Sequence, residues 1–123
     1  MNQWNLKETY ELVRSAHGRE SESRAKESIR SVLDRQAFAR FHYQELVRLT
    51  TAFEKKYIKK NLFIDLHVSP QARTREAFER FIIKVGAHTT AAVQSIHALP
   101  DLLAHAIYFS TGHDFHDDPR GEK

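Results

Sequence analysis

The feature that most constrains the fold is a long stretch of chain without glycine or proline. Neither residue occurs from Glu20 to Lys60, and the whole sequence has only four Gly and three Pro. Apolar side chains recur in this stretch at steps of three and four in two runs, first at Ile29, Val32, Leu33, Ala37 and Phe41, and then at Leu46, Leu49, Phe53 and Tyr57. Such spacing places them on one side of an α-helix. We therefore predict one long or gently bent helix, with any bend near residues 35–40.

Glycine and proline delimit the other predicted helices. A first helix is predicted from about Gln3 to Ala16, because Gly18 stands where helices commonly end. Ser69 and Pro70 predict the start of a later helix, since serine caps helix N-termini and proline suits the first turn. Gly86 is expected either to end that helix or to mark a close helix crossing.

The late part of the chain, residues 87–112, is its least charged stretch. We predict that it forms the central, most buried helix. Pro100 lacks an amide hydrogen and clashes with the preceding turn, so it either kinks this helix or starts a new one, and we favour the kink. Gly112 is expected to end the helix.

These patterns predict an all-α protein, an up-and-down bundle of four or five helices with one long early helix and an apolar central late helix. A chain of 123 residues has the size of one domain. We assign residues 1–112 to the helical bundle. Residues 113–123 are mostly polar and are predicted to form a flexible C-terminal tail.

Composition excludes several classes of site. The chain has no cysteine, so disulfides, thiolate nucleophiles, zinc ribbons and iron–sulfur clusters are ruled out. No apolar run approaches the roughly 20 residues that span a bilayer, and the N-terminus lacks a signal-peptide pattern, so we expect a cytoplasmic protein with no membrane partner. No glycine-rich phosphate loop, nucleophile elbow or HExxH motif occurs. We predict no cofactor.

One candidate metal site lies in the late apolar stretch. His97, Asp101 and His105 are spaced four residues apart, which places them on one face of a continuous helix. Their side chains are ligands that suit zinc, iron or manganese. A further ligand would have to come from another helix, with His42, His67 and His88 as candidates. The alternative is that the three residues are hydrogen-bonded to one another inside the bundle.

A second candidate site is formed by Arg35 and His42, seven positions apart and therefore on nearly the same side of a straight helix. An arginine there can hold a phosphate beside a histidine that acts as general acid or base. The alternative is a solvated arginine and an unrelated histidine.

The segment from His88 to Gly112 carries small polar, Ser, Asp, Leu-Leu and Ala positions, found here as Ser95, Asp101, Leu102, Leu103 and Ala104. Over roughly a fifth of the chain it resembles bacterial helical-bundle proteins related to the HEPN superfamily. In active members an Arg, followed after about four to six residues by His, forms a metal-independent ribonuclease site across a dimer. Arg35 and His42 meet that spacing, although Gln36 follows Arg35 where the family usually has Asn, Asp or His.

Taken together, the sequence and the resemblance predict a homodimeric, non-enzymatic helical interaction or binding module that is HEPN-like and of unknown target, with nucleic acid and protein as candidate partners. The alternative is an enzyme of one of two kinds. It would be either a HEPN-type ribonuclease that uses Arg35 and His42 or a metal-dependent hydrolase that uses His97, Asp101 and His105.

Overall fold

The computed structural model describes residues 4–58 and 72–113, and every regular element in these two ranges is helical. Helix α1 spans Leu6–Phe53 and continues into a π-helical turn at Glu54–Ile58. Helix α2 spans Ala72–His97, and helix α3 spans Leu99–Ser110. The prediction of an all-α protein is confirmed for the described residues, none of which is in a strand.

The chain divides into two compact units. Of the described residues, the first unit contains 4–36 and 97–113, and the second contains 37–58 and 72–96. The first is therefore built from the early part of α1 and from α3, whereas the second is built from the late part of α1, the π-helical turn and α2.

In the first unit, α1 is interrupted at Gly18, which has φ 91° and ψ 177°. Only glycine adopts this backbone region readily. The chain folds back there, because the Lys26 ammonium lies 5.2 Å from the centre of the Tyr10 ring. Sixteen residues of straight helix would separate these positions by about 24 Å. The prediction that the first helix ends at Gly18 is therefore confirmed, since the helical backbone is interrupted at this residue.

The core of the first unit consists of small and aliphatic side chains. Val13, Ala25 and Ile29 of α1 are buried, and so is Ala106 of α3. Small residues at such positions let helix backbones approach closely. The buried set is short, so each of its members matters to the stability of this unit.

Helix α3 ends in a Schellman motif, as its glycine predicts. The amide of Gly112 donates to the carbonyl of Phe109 over 3.1 Å, and the amide of His113 donates to the carbonyl of Tyr108 over 3.3 Å. Gly112 has φ 80°, the left-handed conformation that this motif requires. The rings of Tyr108 and His113 pack 4.9 Å apart and complete the motif.

In the second unit, aromatic rings join α1 to α2. Phe53 is stacked on Phe81, with ring centres 4.1 Å apart and planes 12° apart. Tyr57 and Phe78 pack on the same ring at 4.7 and 6.0 Å. Phe53 and Phe78 are the buried members of this aromatic cluster, which forms the core of the unit.

Two predicted helix boundaries are resolved by the structure. No break occurs near residues 35–40, since α1 continues to Phe53. At Pro100, α2 ends at His97 and α3 begins at Leu99, with the proline in its first turn, while Ala98 between them keeps helical dihedrals of φ −76° and ψ −17°. The predicted interruption of the late helix at this proline is confirmed. A proline suits this position, because its missing amide leaves no hydrogen bond unmade in a first turn.

The late apolar stretch is less buried than predicted. Of its residues in α2 and α3, only Ser95 and Ala106 are buried, while large side chains such as Ile96, Leu103 and Ile107 are more than one-third exposed. None of the described helices combines the length and apolar character needed to cross a membrane. The predicted tail lies outside the described residues from position 114 onward, as does the predicted helix start at Ser69 and Pro70.

Gly18 and Gly86 should respond to alanine with opposite signs. Gly86 lies within α2, where an added Cβ would meet no atom within 4 Å. Gly86→Ala should therefore stabilise the helix by about 0.5–1 kcal/mol. Gly18→Ala should destabilise the protein by about 1–3 kcal/mol, because alanine is strained in that backbone region.

Urea unfolding followed by circular dichroism, in dilute solution, measures both changes. Equal signs for the two variants would contradict the interruption of α1 at Gly18 or the uninterrupted course of α2 through Gly86.

Candidate functional site

Two histidines from different helices meet in the second unit. The Nδ1 atoms of His42 on α1 and His88 on α2 lie 2.9 Å apart, with ring centres 5.2 Å apart. At this distance one ring nitrogen donates a hydrogen and the other accepts it, so the two rings hold different tautomers. The edge of Phe41 packs near both rings, at 5.2 Å from His42 and 6.4 Å from His88. Both histidines are half-buried.

An ion pair lies one turn further along α1. Arg48 donates from Nε and Nη2 to the Glu45 carboxylate, with contacts of 3.0 and 2.6 Å to Oε2. The hydrogen bond from Arg48 is the main cause that lowers the pKa of Glu45; burial acts against it, and the charges of Arg48 and His88 lower this pKa further by smaller amounts. The same partner raises the pKa of Arg48. Glu45 is therefore ionised at neutral pH, and this ion pair weakens as the pH falls through the lowered pKa.

The arrangement places a hydrogen-bonded imidazole pair in the field of a carboxylate. Neutral imidazoles provide nitrogen ligands for transition metals. The pair is accessible from solvent, because neither ring is fully buried. It can therefore bind a cation without opening the aromatic cluster at Phe53.

Sequence reasoning named His88 only as a further ligand for the metal site of His97, Asp101 and His105, and named His42 as such a ligand and as the histidine of the Arg35 site, without pairing the two. Their pairing was missed because it requires knowing which faces of α1 and α2 meet. A signal was present: His42 shares its helix face with Leu46 and Leu49, and His88 shares its face with Phe81 and Val85. A polar ring on an otherwise apolar face needs a partner, and two such rings on two helices predict each other.

Arg35 and His42 both lie on α1 but belong to different compact units. The Arg35 side chain is exposed, and the described ring contacts of His42 are with Phe41 and His88. The ribonuclease site stays a prediction, which an RNA cleavage assay with Arg35→Ala and His42→Ala can test.

His97, Asp101 and His105 are distributed over two helices. His97 is the last residue of α2, whereas Asp101 and His105 lie on α3 beyond the turn at Ala98. All three are exposed, so they do not lie inside the bundle, whereas hydrogen bonding among them stays a prediction. Within residues 4–58 and 72–113, no three His, Asp or Glu side chains form a group able to hold a metal ion. Cation binding by these three residues stays a prediction, and His67 lies outside the described ranges.

No protein-family profile matches this sequence, and neither the curated proteins nor the solved structures contain a significant match.

Proposed function

We propose that the protein is a helical interaction module, an up-and-down bundle of four or five helices that associates with a second copy of itself through an exposed face of α2. The observation that carries this proposal is a stripe of five exposed residues, which we call the α2 stripe: Ile82, Gly86, Thr89, Val93 and Ile96. Steps of four and three residues separate its members. At 100° per residue they lie within an arc of about 80°.

This spacing is the one that brings two helices together in a coiled coil. The α2 stripe lies about 100° around the helix from Phe81 and His88, which face α1 within the second unit. Ile82, Val93 and Ile96 are 46%, 52% and 57% exposed. An added Cβ at Gly86 would meet nothing within 4 Å, so the centre of the stripe is uncovered.

The order of residues in the α2 stripe favours a second copy as the partner. If two α2 helices pack antiparallel about Thr89, Ile82 of one copy faces Ile96 of the other. Gly86 then faces Val93, so the larger side chain fills the space above the glycine. Such a surface is complementary to itself, as a twofold interface requires.

The expected affinity is moderate. Burying the exposed half of Ile82, Val93 and Ile96 in both copies contributes about 5–9 kcal/mol, at about 1.5–3 kcal/mol for each fully buried side chain. Association itself costs several kcal/mol, so contacts flanking the stripe must contribute for a micromolar dimer to form. We expect dimerisation that depends on concentration in the micromolar to millimolar range.

Sedimentation velocity over a concentration series tests the proposal. Wild-type protein should shift from monomer to dimer, and Val93→Lys should remain monomeric because it places a charge in the centre of the interface. Ile83→Lys is the matched control, since Ile83 is 70% exposed and lies about 100° away from the stripe. Circular dichroism should show equal helicity for the three proteins.

Two results would refute association through the α2 stripe. One is a wild-type protein that stays monomeric at millimolar concentration. The other is a dimer that Val93→Lys leaves intact, or that Ile83→Lys disrupts to the same extent.

A further inference from the structure

We propose that His42 and His88 form a transition-metal site that joins α1 to α2 within the second unit. Cu²⁺ is its preferred ion, and Ni²⁺ and Zn²⁺ bind more weakly. The inference is independent of the α2 stripe, since His88 lies on the side of α2 that faces α1. It starts from the 2.9 Å contact between the two Nδ1 atoms.

The distance between the nitrogens fits one metal ion. Imidazole nitrogens bind zinc at about 2.0–2.1 Å, and similar distances apply to copper and nickel. Two nitrogens at that range from one ion and 2.9 Å from each other subtend an angle of about 90° at the ion. This is the angle between neighbouring ligands in the square-planar geometry that Cu²⁺ and Ni²⁺ favour. A tetrahedral ion such as Zn²⁺ requires the nitrogens to separate to about 3.3 Å.

Metal binding requires a change of tautomer and a tilt of both rings. In the hydrogen-bonded pair, one Nδ1 carries the shared hydrogen. When that hydrogen moves to Nε2 of the same ring, both Nδ1 lone pairs become available and the net charge of the pair is unchanged. Each ring must then turn by roughly 45° from the line between the nitrogens, so that both lone pairs point at one ion. Both histidines are only half-buried, so the rings are not fully enclosed by the chain.

The surroundings favour a cation. Glu45 lies three residues after His42, on the same side of α1, and its carboxylate interacts electrostatically with His88. Two nitrogens of Arg48 donate hydrogen bonds to that carboxylate. Glu45 therefore contributes negative potential in the present arrangement and becomes a third ligand only if it leaves Arg48.

The protein supplies two ligands, and water must complete the coordination sphere. This follows because the described residues contain no group of three His, Asp or Glu side chains able to hold a metal. A site with two protein ligands exchanges its ion readily. Binding should also be lost at acidic pH, where protons compete for the same nitrogens.

Titration of the full chain with CuSO₄, followed by electron paramagnetic resonance, tests the site. We expect one ion per chain at low occupancy, with hyperfine splitting from two nitrogens. His42→Gln and His88→Gln should each lower the affinity roughly tenfold or more, since losing even outer-shell partners costs tenfold to a hundredfold. A thermal unfolding midpoint that rises with Cu²⁺ in the wild type should fail to rise in either variant.

His97→Gln combined with His105→Gln is the matched control, because it removes two exposed histidines among the eight of the chain. This double variant should bind copper as the wild type does. Loss of copper binding in the control, together with full binding in His88→Gln, would overturn the proposal and assign the metal to His97 and His105. A wild-type spectrum without two-nitrogen splitting would also overturn it, and that result does not depend on whether the variants fold.

Discussion

Replacing Phe53 by alanine should lower the free energy of unfolding by about 3–5 kcal/mol, the usual range for a buried phenylalanine. Phe53 is 7% exposed and touches three aromatic rings, from Tyr57, Phe78 and Phe81. Its loss would leave a cavity where α1 and α2 meet. A small helical unit can repack only part of such a cavity, so much of its helical signal should melt at room temperature.

Urea unfolding monitored at 222 nm measures this change, and Phe38→Ala provides the comparison. Phe38 also lies on α1 in the second unit, but its side chain is 51% exposed. Its removal should cost about 1 kcal/mol, because half of its surface is already in water. Similar losses in the two variants would show that the aromatic cluster is not the core of this unit.

The second large effect is expected at Gly112. An alanine Cβ would lie 2.3 Å from Nδ1 and 2.7 Å from Cγ of His17, and the residue would also have to keep φ 80°. The left-handed backbone costs about 1–2 kcal/mol for alanine, and forced overpacking costs about 1–3 kcal/mol more. We therefore expect Gly112→Ala to destabilise the protein by about 2–5 kcal/mol.

The two causes can be separated with His17→Ala. In that background the overpacking disappears, and Gly112→Ala should cost only the backbone part, about 1–2 kcal/mol. A double-mutant cycle from thermal or urea unfolding gives the coupling between the two positions. If Gly112→Ala costs the same with and without His17, the ring of His17 does not limit this position.

The helices of the protein are encoded locally. The absence of glycine and proline from Glu20 to Lys60, and the three-and-four spacing of its apolar residues, are enough to predict most of α1. Gly18 and Gly112 likewise act through their own backbone preferences, and both adopt positive φ at the ends that were predicted. Gly86 shows the limit of this reasoning, because a glycine tolerated inside a helix has the same sequence signature as one that ends it.

The candidate sites required more than local information. His97, Asp101 and His105 share a face only if one helix continues past Pro100, and the structure separates His97 from the other two at Ala98. The choice between a kink and a new helix at a proline depends on a few kcal/mol of packing energy, which the spacing of ligands does not reveal.

The sequence by itself therefore determined the all-α class, the early long helix and the positions where the backbone must be glycine, because these follow from backbone sterics and side-chain periodicity over neighbouring residues. Only the tertiary structure decided that His42 meets His88 across 46 positions of the chain and that Phe53 stacks on Phe81. It also decided that Ile82, Val93 and Ile96 are exposed in the single chain. These outcomes depend on which helix faces pack together, and that choice is set by contacts between residues far apart in the sequence.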